Sequence, residues 1–236
     1  MMNKWLSILI LSLLALTANA AKHIPDTVYH HDRMYVDGLR IYSDSAIYQG
    51  LNLKIDMFMP ILEVARSKGK LQAYEMALNL RLKRRYYPTI ELGYAFGETN
   101  VSDTYWKGQG GFVKLGLDIN GLRKHVDALD ALLVGIRVGG AYEKYDLADV
   151  RVAGSYWQPA STRDFINQYS FNCWGEVVAG CQVHVYSGLM MGWYFRLKVL
   201  FTRKLKGEEV APYYIPGFGY RDNTNWGFNY YIGWKF

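Results

Sequence analysis

Three histidines near the start of the chain are the first residues whose type could support chemistry. His23, His30 and His31 lie close to Asp26 and Asp32, and imidazole nitrogens together with carboxylates can bind zinc or copper. Their spacing matches none of the recurring ligand patterns of metal sites. We therefore expect no bound metal and no cofactor, and the sequence assigns no function to these side chains.

His184 is a candidate general base, because a carboxylate beside an imidazole can orient it for proton transfer. Glu176 belongs to the same predicted strand, but a rise of about 3.3 Å per residue places the two side chains about 26 Å apart. The apolar strand faces described below contain no serine or histidine that could act as nucleophile or base. We therefore expect no enzymatic activity.

Cys173 and Cys181 are the only cysteines of the chain, too few for a disulfide scaffold or a cysteine-based zinc site. They share one face of a predicted strand. A disulfide requires Cα atoms within about 7 Å, which a straight strand does not allow at this spacing. We expect both to be small apolar side chains, although a loop position for Cys173 would permit an intermolecular bond.

Aromatic residues are abundant, with 20 tyrosines and 7 tryptophans. A base-stacking platform would need basic residues interleaved on the same face, and none are present there. The net charge of +6 is mild and does not by itself imply nucleic acid. Tyrosine and tryptophan instead favour membrane interfaces. We assign such positions to Tyr86 and Tyr87 at a short turn, and to Trp193, Trp234 and Phe236 at strand ends.

Alternation of apolar and polar residues organises the rest of the chain. Successive side chains of a strand point to opposite faces, so a period of two marks a strand between two environments. Long connections alternate with short ones, as in up-and-down membrane barrels with short periplasmic turns and long external loops. The sequence predicts an all-β fold, an eight-stranded antiparallel up-and-down transmembrane β-barrel. Its alternating segments begin at Leu51, Tyr74, Ile90, Val113, Leu132, Cys173, Trp193 and Trp226, and its long connections are 60–72, 98–111, 144–171 and 203–224.

Three observations predict that the apolar faces point outward. They carry more large side chains than the interior of an eight-stranded barrel can hold. The opposite faces mix charged residues with many glycines, which suits a narrow interior. The apolar faces contain no Asp, Glu, Lys or Arg, and a lipid-facing Arg or Lys costs about 2–4 kcal/mol at mid-membrane.

The predicted interior contains basic and acidic residues in near balance. Buried charges must be paired, so this balance predicts an ionic network that fills the barrel. A proton or ion path through the same residues is the alternative interpretation. The basic residues are Lys54, Arg81, Lys114, Arg137, Arg196, Lys198 and Lys235, and the acidic residues are Asp56, Glu75, Glu91, Asp118, Glu143 and Glu176.

Residues 1–20 have the features of a secretory signal peptide. Lys4 precedes the apolar segment WLSILILSLLAL, and small residues occupy positions 18 and 20, where a signal peptidase selects them. This apolar segment is too short for a spanning helix. We expect residues 21–49 to form a periplasmic lead-in segment and residues 50–236 to form the barrel, located in the bacterial outer membrane.

The final segment alternates aromatic and apolar residues with smaller or polar ones, through Phe228, Tyr230, Ile232, Trp234 and Phe236. It resembles the C-terminal signal of bacterial outer-membrane proteins, and the resemblance implies recognition by the barrel assembly machinery. Residues 74–97, YEMALNLRLKRRYYPTIELGYAFG, resemble a motif in small outer-membrane proteins of Bacteroides-type bacteria. That family, of OmpA/OmpX-like size, is known only as a domain of unknown function. The likeness extends over 50–236 and implies a fold and a location, but no catalytic residue.

These expectations converge on a monomeric outer-membrane barrel with a structural or surface-interaction role. Its expected partners are the lipid bilayer, the assembly machinery and an unidentified molecule at the external loops, but no nucleic acid. A narrow channel or transporter is the first alternative, and a membrane-embedded lipid-modifying enzyme is the second.

Overall fold

The protein is an all-β chain in the computed structural model, which describes residues 27–30, 33–36, 39–41, 47–58, 71–83, 85–101, 104–122, 130–152, 161–202 and 211–236. The strands in these ranges are β1 (Thr27–His30), β2 (Arg33–Val36), β3 (Leu39–Ile41), β4 (Tyr48–Asp56), β5 (Leu71–Leu82), β6 (Tyr86–Val101), β7 (Thr104–Asn120), β8 (Ala131–Val152), β9 (Ser161–Tyr186), β10 (Leu189–Leu200), β11 (Tyr214–Ile215), β12 (Gly219–Tyr220) and β13 (Thr224–Lys235). No helix of the described residues is long and apolar enough to cross a membrane.

Eight antiparallel strands form one ring-like sheet. Their order is β4-β5-β6-β7-β8-β9-β10-β13, and β13 pairs again with β4. Near this junction the Phe236 N–H donates to the Leu51 carbonyl at 2.8 Å, and the Leu51 N–H donates to the Phe236 carbonyl at 3.2 Å. The predicted all-β class and the predicted eight antiparallel strands are confirmed. Every strand of the ring therefore has two hydrogen-bonded neighbours.

The ring has a turn end and a loop end. Short connections join strands at the turn end, where the Ser187–Gly188 turn links β9 to β10. Both of its residues have positive φ, 48° and 104°. This is the combination that a tight hairpin turn requires, because its twist matches that of the strands. The C-terminal ends of β4, β6, β8 and β10 lie at the opposite, loop end.

The long connections 98–111 and 144–171 were predicted as loops, and the structure corrects this interpretation. β6 continues to Val101 before β7 begins at Thr104, and β8 and β9 run to Val152 and from Ser161. The prediction ended each strand where its outward residues stop being apolar, whereas the backbone pairing continues through polar residues. β6 to β9 therefore project beyond the rest of the ring as a loop-end extension.

The N-terminal expectations meet the structure only in part. The predicted lead-in, 21–49, contains β1 to β3, which form a separate three-stranded antiparallel sheet. β4 begins at Tyr48, two positions before the predicted start of the barrel. The predicted signal peptide, 1–20, lies outside the described residues, as do His23 and His31.

Inward-facing glycines make room for charged side chains in the ring. A Cβ atom on Gly135 would lie 2.6 Å from the Leu117 carbonyl oxygen and closer still to the Asp118 carboxylate. Gly111 faces outward, and a Cβ atom there would meet only the Gly93 carbonyl oxygen, at 3.8 Å. The two glycines therefore differ in what a methyl group would displace.

We predict that Gly135→Ala lowers the free energy of unfolding by about 1–3 kcal/mol, because overpacking displaces buried neighbours. Gly111→Ala is the matched control and should change it by less than about 0.5 kcal/mol. Urea unfolding of protein refolded in detergent micelles measures both values. Equal destabilisation by the two variants would show that the space opposite Gly135 is not occupied.

Candidate functional site

The charged residues predicted to line the interior all lie on the inner face of the ring. They are buried except for Glu75, whose side chain is 11% exposed. Seven of them, from β5 to β10, form a connected set that we name the central charge cluster: Glu75, Glu91, Lys114, Asp118, Arg137, Glu176 and Arg196.

Arg137 on β8 joins two carboxylates of the cluster. Its Nε atom donates to Glu91 Oε1 at 2.6 Å. Its two terminal nitrogens bind Asp118 in a parallel pair of hydrogen bonds, at 2.7 and 2.9 Å. This bidentate geometry is the strong form of an arginine–carboxylate contact. Arg137 thereby fixes the positions of β6, β7 and β8 relative to one another from inside the ring.

Arg196 on β10 contacts Glu176 on the neighbouring strand β9 and reaches across the interior to Glu91 on β6 and Glu75 on β5. It contacts Glu91 at 2.6 Å and Glu176 and Glu75 at 3.0 Å each. Lys114 on β7 lies 2.7 Å from Glu75, 3.5 Å from Glu91 and 3.7 Å from Glu176. These contacts join opposite sides of the ring and fill its lumen at this level. Each carboxylate of the cluster is engaged by a cation.

An aromatic layer lies on the turn-end side of the central charge cluster. Lys54 donates to the Tyr194 hydroxyl at 3.0 Å and lies 4.5 Å from the centre of the Tyr231 ring. The two tyrosine rings stack at 5.1 Å. Tyr87 packs in the same layer and is fully buried. The prediction of an interfacial position for Tyr87 is wrong, because β6 begins at Tyr86 and alternation then turns Tyr87 inward.

His184 is buried on the inner face near the turn end. Its Nε2 atom accepts a long hydrogen bond, 3.4 Å, from the Gly188 N–H, and its own backbone N–H donates to Asp130 at 2.8 Å. These contacts place the residue at the base of the β9–β10 turn. No group of three or more His, Cys, Asp or Glu side chains that could hold a metal occurs among the described residues.

A hairpin closes the loop end of the ring. The connection 203–224 was predicted as an external loop, but its β11–β12 segment, Tyr214–Tyr220, folds inward, with Tyr214, Ile215 and Phe218 buried and Tyr220 exposed. Ile215 and Phe218 of this plug hairpin are fully buried, where they pack with Phe112, Trp174 and Leu200. The apolar residues of YYIPGFGY account for this position, because burial removes them from water. That composition was the available sequence signal.

Polar contacts anchor the plug hairpin. Lys198 donates from Nζ to the Gly217 carbonyl at 2.7 Å and to the Phe218 carbonyl at 3.2 Å. Arg221, just beyond the hairpin, donates to Asn172 at 3.3 Å. The pKa of Tyr213 is raised above its ordinary value by partial burial and by neighbouring Tyr220.

The remaining predicted interior residues lie outside the central charge cluster. Asp56 accepts a hydrogen bond from Asn229 at 2.6 Å, and Glu143 accepts one from Asn172 at 2.9 Å. Arg81 and Lys235 are buried in the turn-end half of the ring. The charges that were predicted as one network are thus distributed over several levels of the interior.

The outer face carries a continuous surface of exposed apolar side chains, which we name the apolar belt. No outward residue of the described strands within this belt is charged. Its members include Ile90, Leu92, Val113, Leu115, Leu117, Leu132, Val134, Ile136, Val138 and Val177, each between 40% and 67% exposed.

Aromatic side chains flank the apolar belt at both ends. Those at the turn end are Tyr48, Tyr86, Tyr186, Trp234 and Phe236, and those at the loop end are Tyr74, Tyr94, Phe96, Tyr142, Tyr169 and Phe171. From Tyr86 to Phe96 along β6 is about 33 Å at 3.3 Å per residue. A strand tilt of about 40° reduces this to roughly 25 Å along the axis of the ring.

Two outward aromatic residues differ from their predicted surroundings. Trp193 lies within β10 rather than at a strand end, and its ring stacks on Phe228 at 6.3 Å. Tyr230 faces outward but is buried, and its hydroxyl contacts the sulfur of Met191 at 3.5 Å. Cys173 and Cys181 are free and half-buried.

Comparison with known proteins identifies a family but no activity. A family model described as a domain of unknown function, DUF6048, matches residues 1–235. The chain therefore belongs to this family, and the predicted likeness to a family of unknown function is confirmed at that level. No curated protein and no solved structure matches the chain.

We predict that Arg137→Met lowers the free energy of unfolding by about 3–5 kcal/mol, because it leaves buried Asp118 without a cation and removes one of the cations that contact Glu91. Arg85→Met, at an exposed position of the turn end, is the control and should change it by less than about 0.5 kcal/mol. Urea unfolding in detergent micelles, followed by tryptophan fluorescence, gives both values. A loss below about 1 kcal/mol for Arg137→Met would contradict a tightly paired cluster.

Proposed function

We propose that this member of the DUF6048 family is an outer-membrane β-barrel protein of structural or surface-interaction type, with a filled interior and a contact surface at its loop end. The observation that carries the proposal is the inverted distribution of side chains. Charged residues are buried inside the ring, and the apolar belt is exposed outside it. A water-soluble barrel has the opposite arrangement, because apolar surface is driven out of water.

The dimensions of the belt support a bilayer as its surroundings. Barrels of outer membranes have an apolar band about 25 Å tall between two girdles of aromatic residues. The aromatic residues at the two ends of this ring are separated by roughly the same height. An exposed apolar surface of this extent marks an interaction with a membrane or a protein. The regular aromatic borders favour a membrane over a protein as the partner of this surface.

The filled interior supports a role other than transport. The central charge cluster occupies the lumen, and the plug hairpin occupies its loop end. Every carboxylate of the cluster contacts a cation, so none offers a free base. These features favour a structural or interaction role over a lipid-modifying enzyme.

A narrow channel is the second candidate, because the interior is lined by charges. Planar bilayer recordings distinguish the two. The proposed protein produces no conductance steps. Regular steps that disappear when Arg196 is substituted would favour the channel.

The loop-end extension supports a surface-interaction role. β6 to β9 continue past the aromatic border as paired strands, so their polar residues are displayed on a rigid sheet rather than on loops. Arg163 and Asp164 of β9 are exposed there. With the turn end in the periplasm, this sheet would project from the cell surface. The predicted signal peptide, 1–20, supports export, and the assembly machinery is the partner that insertion requires.

We predict that Leu117→Arg strongly reduces the amount of folded protein in the membrane fraction. The guanidinium would face lipid in the turn-end half of the belt, where its cost approaches the value of about 2–4 kcal/mol that applies at mid-membrane. Gln109→Arg lies on the same strand and face but at the aromatic border, opposite Phe96, and should cost at most about 1 kcal/mol. Folded barrel is measured as the band that shifts on a detergent gel when the sample is boiled.

Two results would contradict the proposed location. The first is equal recovery of the Leu117→Arg and Gln109→Arg proteins as folded species in the membrane fraction. The second is recovery of the unsubstituted protein in the soluble periplasmic fraction. The boiling shift is a separate control on folding, because a closed ladder of backbone hydrogen bonds resists detergent until it is heated.

A further inference from the structure

A cleft of about 500 Å³ lies on β6, β7 and β8, where the loop-end extension leaves the aromatic border. Two rows of paired outward residues cross it. Its lining includes Phe96, Gln109 and Lys144 in one row and Glu98, Lys107 and Asp146 in the other. None of these residues takes part in the central charge cluster or the plug hairpin.

The open position at Gly111 forms a short groove between this cleft and the apolar belt. Gly111 lies between Tyr94 and Tyr142 on the neighbouring strands. A Cβ atom on Gly111 would have only one heavy atom within 4 Å, the Gly93 carbonyl oxygen at 3.8 Å. The next outward residue of β7 is Val113, which belongs to the belt. The two tyrosines therefore flank an open position that joins a polar cleft to an apolar surface.

The acidic side chains of the cleft are held by neutral donors. Glu98 accepts a hydrogen bond from the Tyr105 hydroxyl at 2.5 Å, and Asp146 accepts one from the Asn167 backbone N–H at 2.7 Å. Both carboxylates are therefore oriented beside the cleft.

The two lysines of the cleft lack such partners. Within the described part of the chain, neither Lys107 nor Lys144 forms an ion pair or a hydrogen bond, and the Lys144 ammonium group lies 5.8 Å from the centre of the Tyr169 ring. The cleft thus offers two ammonium groups that are free to bind an anion, next to two oriented carboxylates.

We infer that this cleft binds the headgroup of a zwitterionic phospholipid that carries a primary amine. The phosphate binds Lys107 and Lys144, the ammonium group faces Glu98 and Asp146, and one acyl chain enters the groove over Gly111. Two positive and two negative side chains match a headgroup with no net charge. A purely anionic headgroup would be repelled by the two carboxylates.

The inference rests on the proposed function, because a bilayer around the belt is what presents an acyl chain to the groove. It adds the identity of a lipid partner to that function. The groove also distinguishes a lipid from a free phosphate ester. A soluble headgroup has no chain to place between Tyr94 and Tyr142.

Isothermal titration calorimetry of the full chain, refolded in detergent micelles, tests the ligand class. The probes are the dihexanoyl forms of phosphatidylethanolamine, phosphatidylcholine and phosphatidylglycerol, and O-phosphoethanolamine as the headgroup alone. Phosphatidylethanolamine should bind with a Kd about tenfold below those of the other probes. Phosphatidylcholine has no N–H donor, and phosphatidylglycerol has no cation. Equal affinity for the three lipids, or for the lipid and its headgroup, overturns the inference.

Variants test the residues. The Lys107→Gln and Lys144→Gln double variant should raise the Kd for phosphatidylethanolamine at least about tenfold, since each lysine near a lipid phosphate contributes a few-fold or more. Gly111→Leu should raise it about fivefold by filling the groove. Lys83→Gln at the turn end is the control and should leave it within about twofold. Unchanged affinity in the double variant overturns the site.

Insertion into phospholipid vesicles is measured on the same preparations. Loss of the lipid preference in a protein that inserts normally refutes the lipid site and leaves the proposed barrel intact. Retained preference in a protein that does not insert refutes the proposed membrane function and supports the headgroup site. The two failures are therefore distinguishable.

Discussion

The pairing of buried charges inside a narrow ring is the constraint on which the rest of the structure depends. Eight strands leave an interior just wide enough for side chains, and here Arg137, Arg196 and Lys114 occupy it together with four carboxylates. Each charge is tolerable only while its partners are in place, since a lone buried charge costs several kcal/mol. Glycines such as Gly135 are required because the long side chains opposite them use the space.

The outer face complements this interior. Alternation sends every second residue outward, and within the belt these outward residues are apolar or aromatic and none is charged. Tyr86 and Phe96 at the two ends of β6 mark where that surface stops. Beyond Phe96, toward the loop end, the outward residues Glu98, Lys107 and Asp146 of the same strands are charged. The sheet therefore continues in a polar environment. Along single strands, the outward residues change from apolar to aromatic to charged. The proposed bilayer, the proposed external contact surface and the inferred lipid site all follow from this change.

Much of this arrangement could be predicted from the sequence, because a period of two is a local property of the chain. Alternation assigned residues such as Glu91 and Leu117 to opposite faces, and the structure places them there. The plug hairpin was missed because the burial of Ile215 and Phe218 depends on a space inside the ring, which no local pattern reveals. The length of β8 and β9 was missed because backbone pairing continues where the apolar signal ends. The contacts of Arg196 with Glu75 and Glu91 join distant strands, and only the closed ring brings them together.

Site-directed spin labelling along the outer face of β7 tests the central claim most directly. Single cysteines replace Ile119, Leu117, Leu115, Val113 or Lys107 in a protein whose two native cysteines are alanine, and the labelled proteins are reconstituted in vesicles. The account predicts that the ratio of oxygen to nickel-chelate accessibility is highest near Leu115, falls toward Ile119, and is lowest at Lys107. A ratio that is the same at all five positions, with free access of the nickel chelate to Leu115, would contradict a lipid-facing belt.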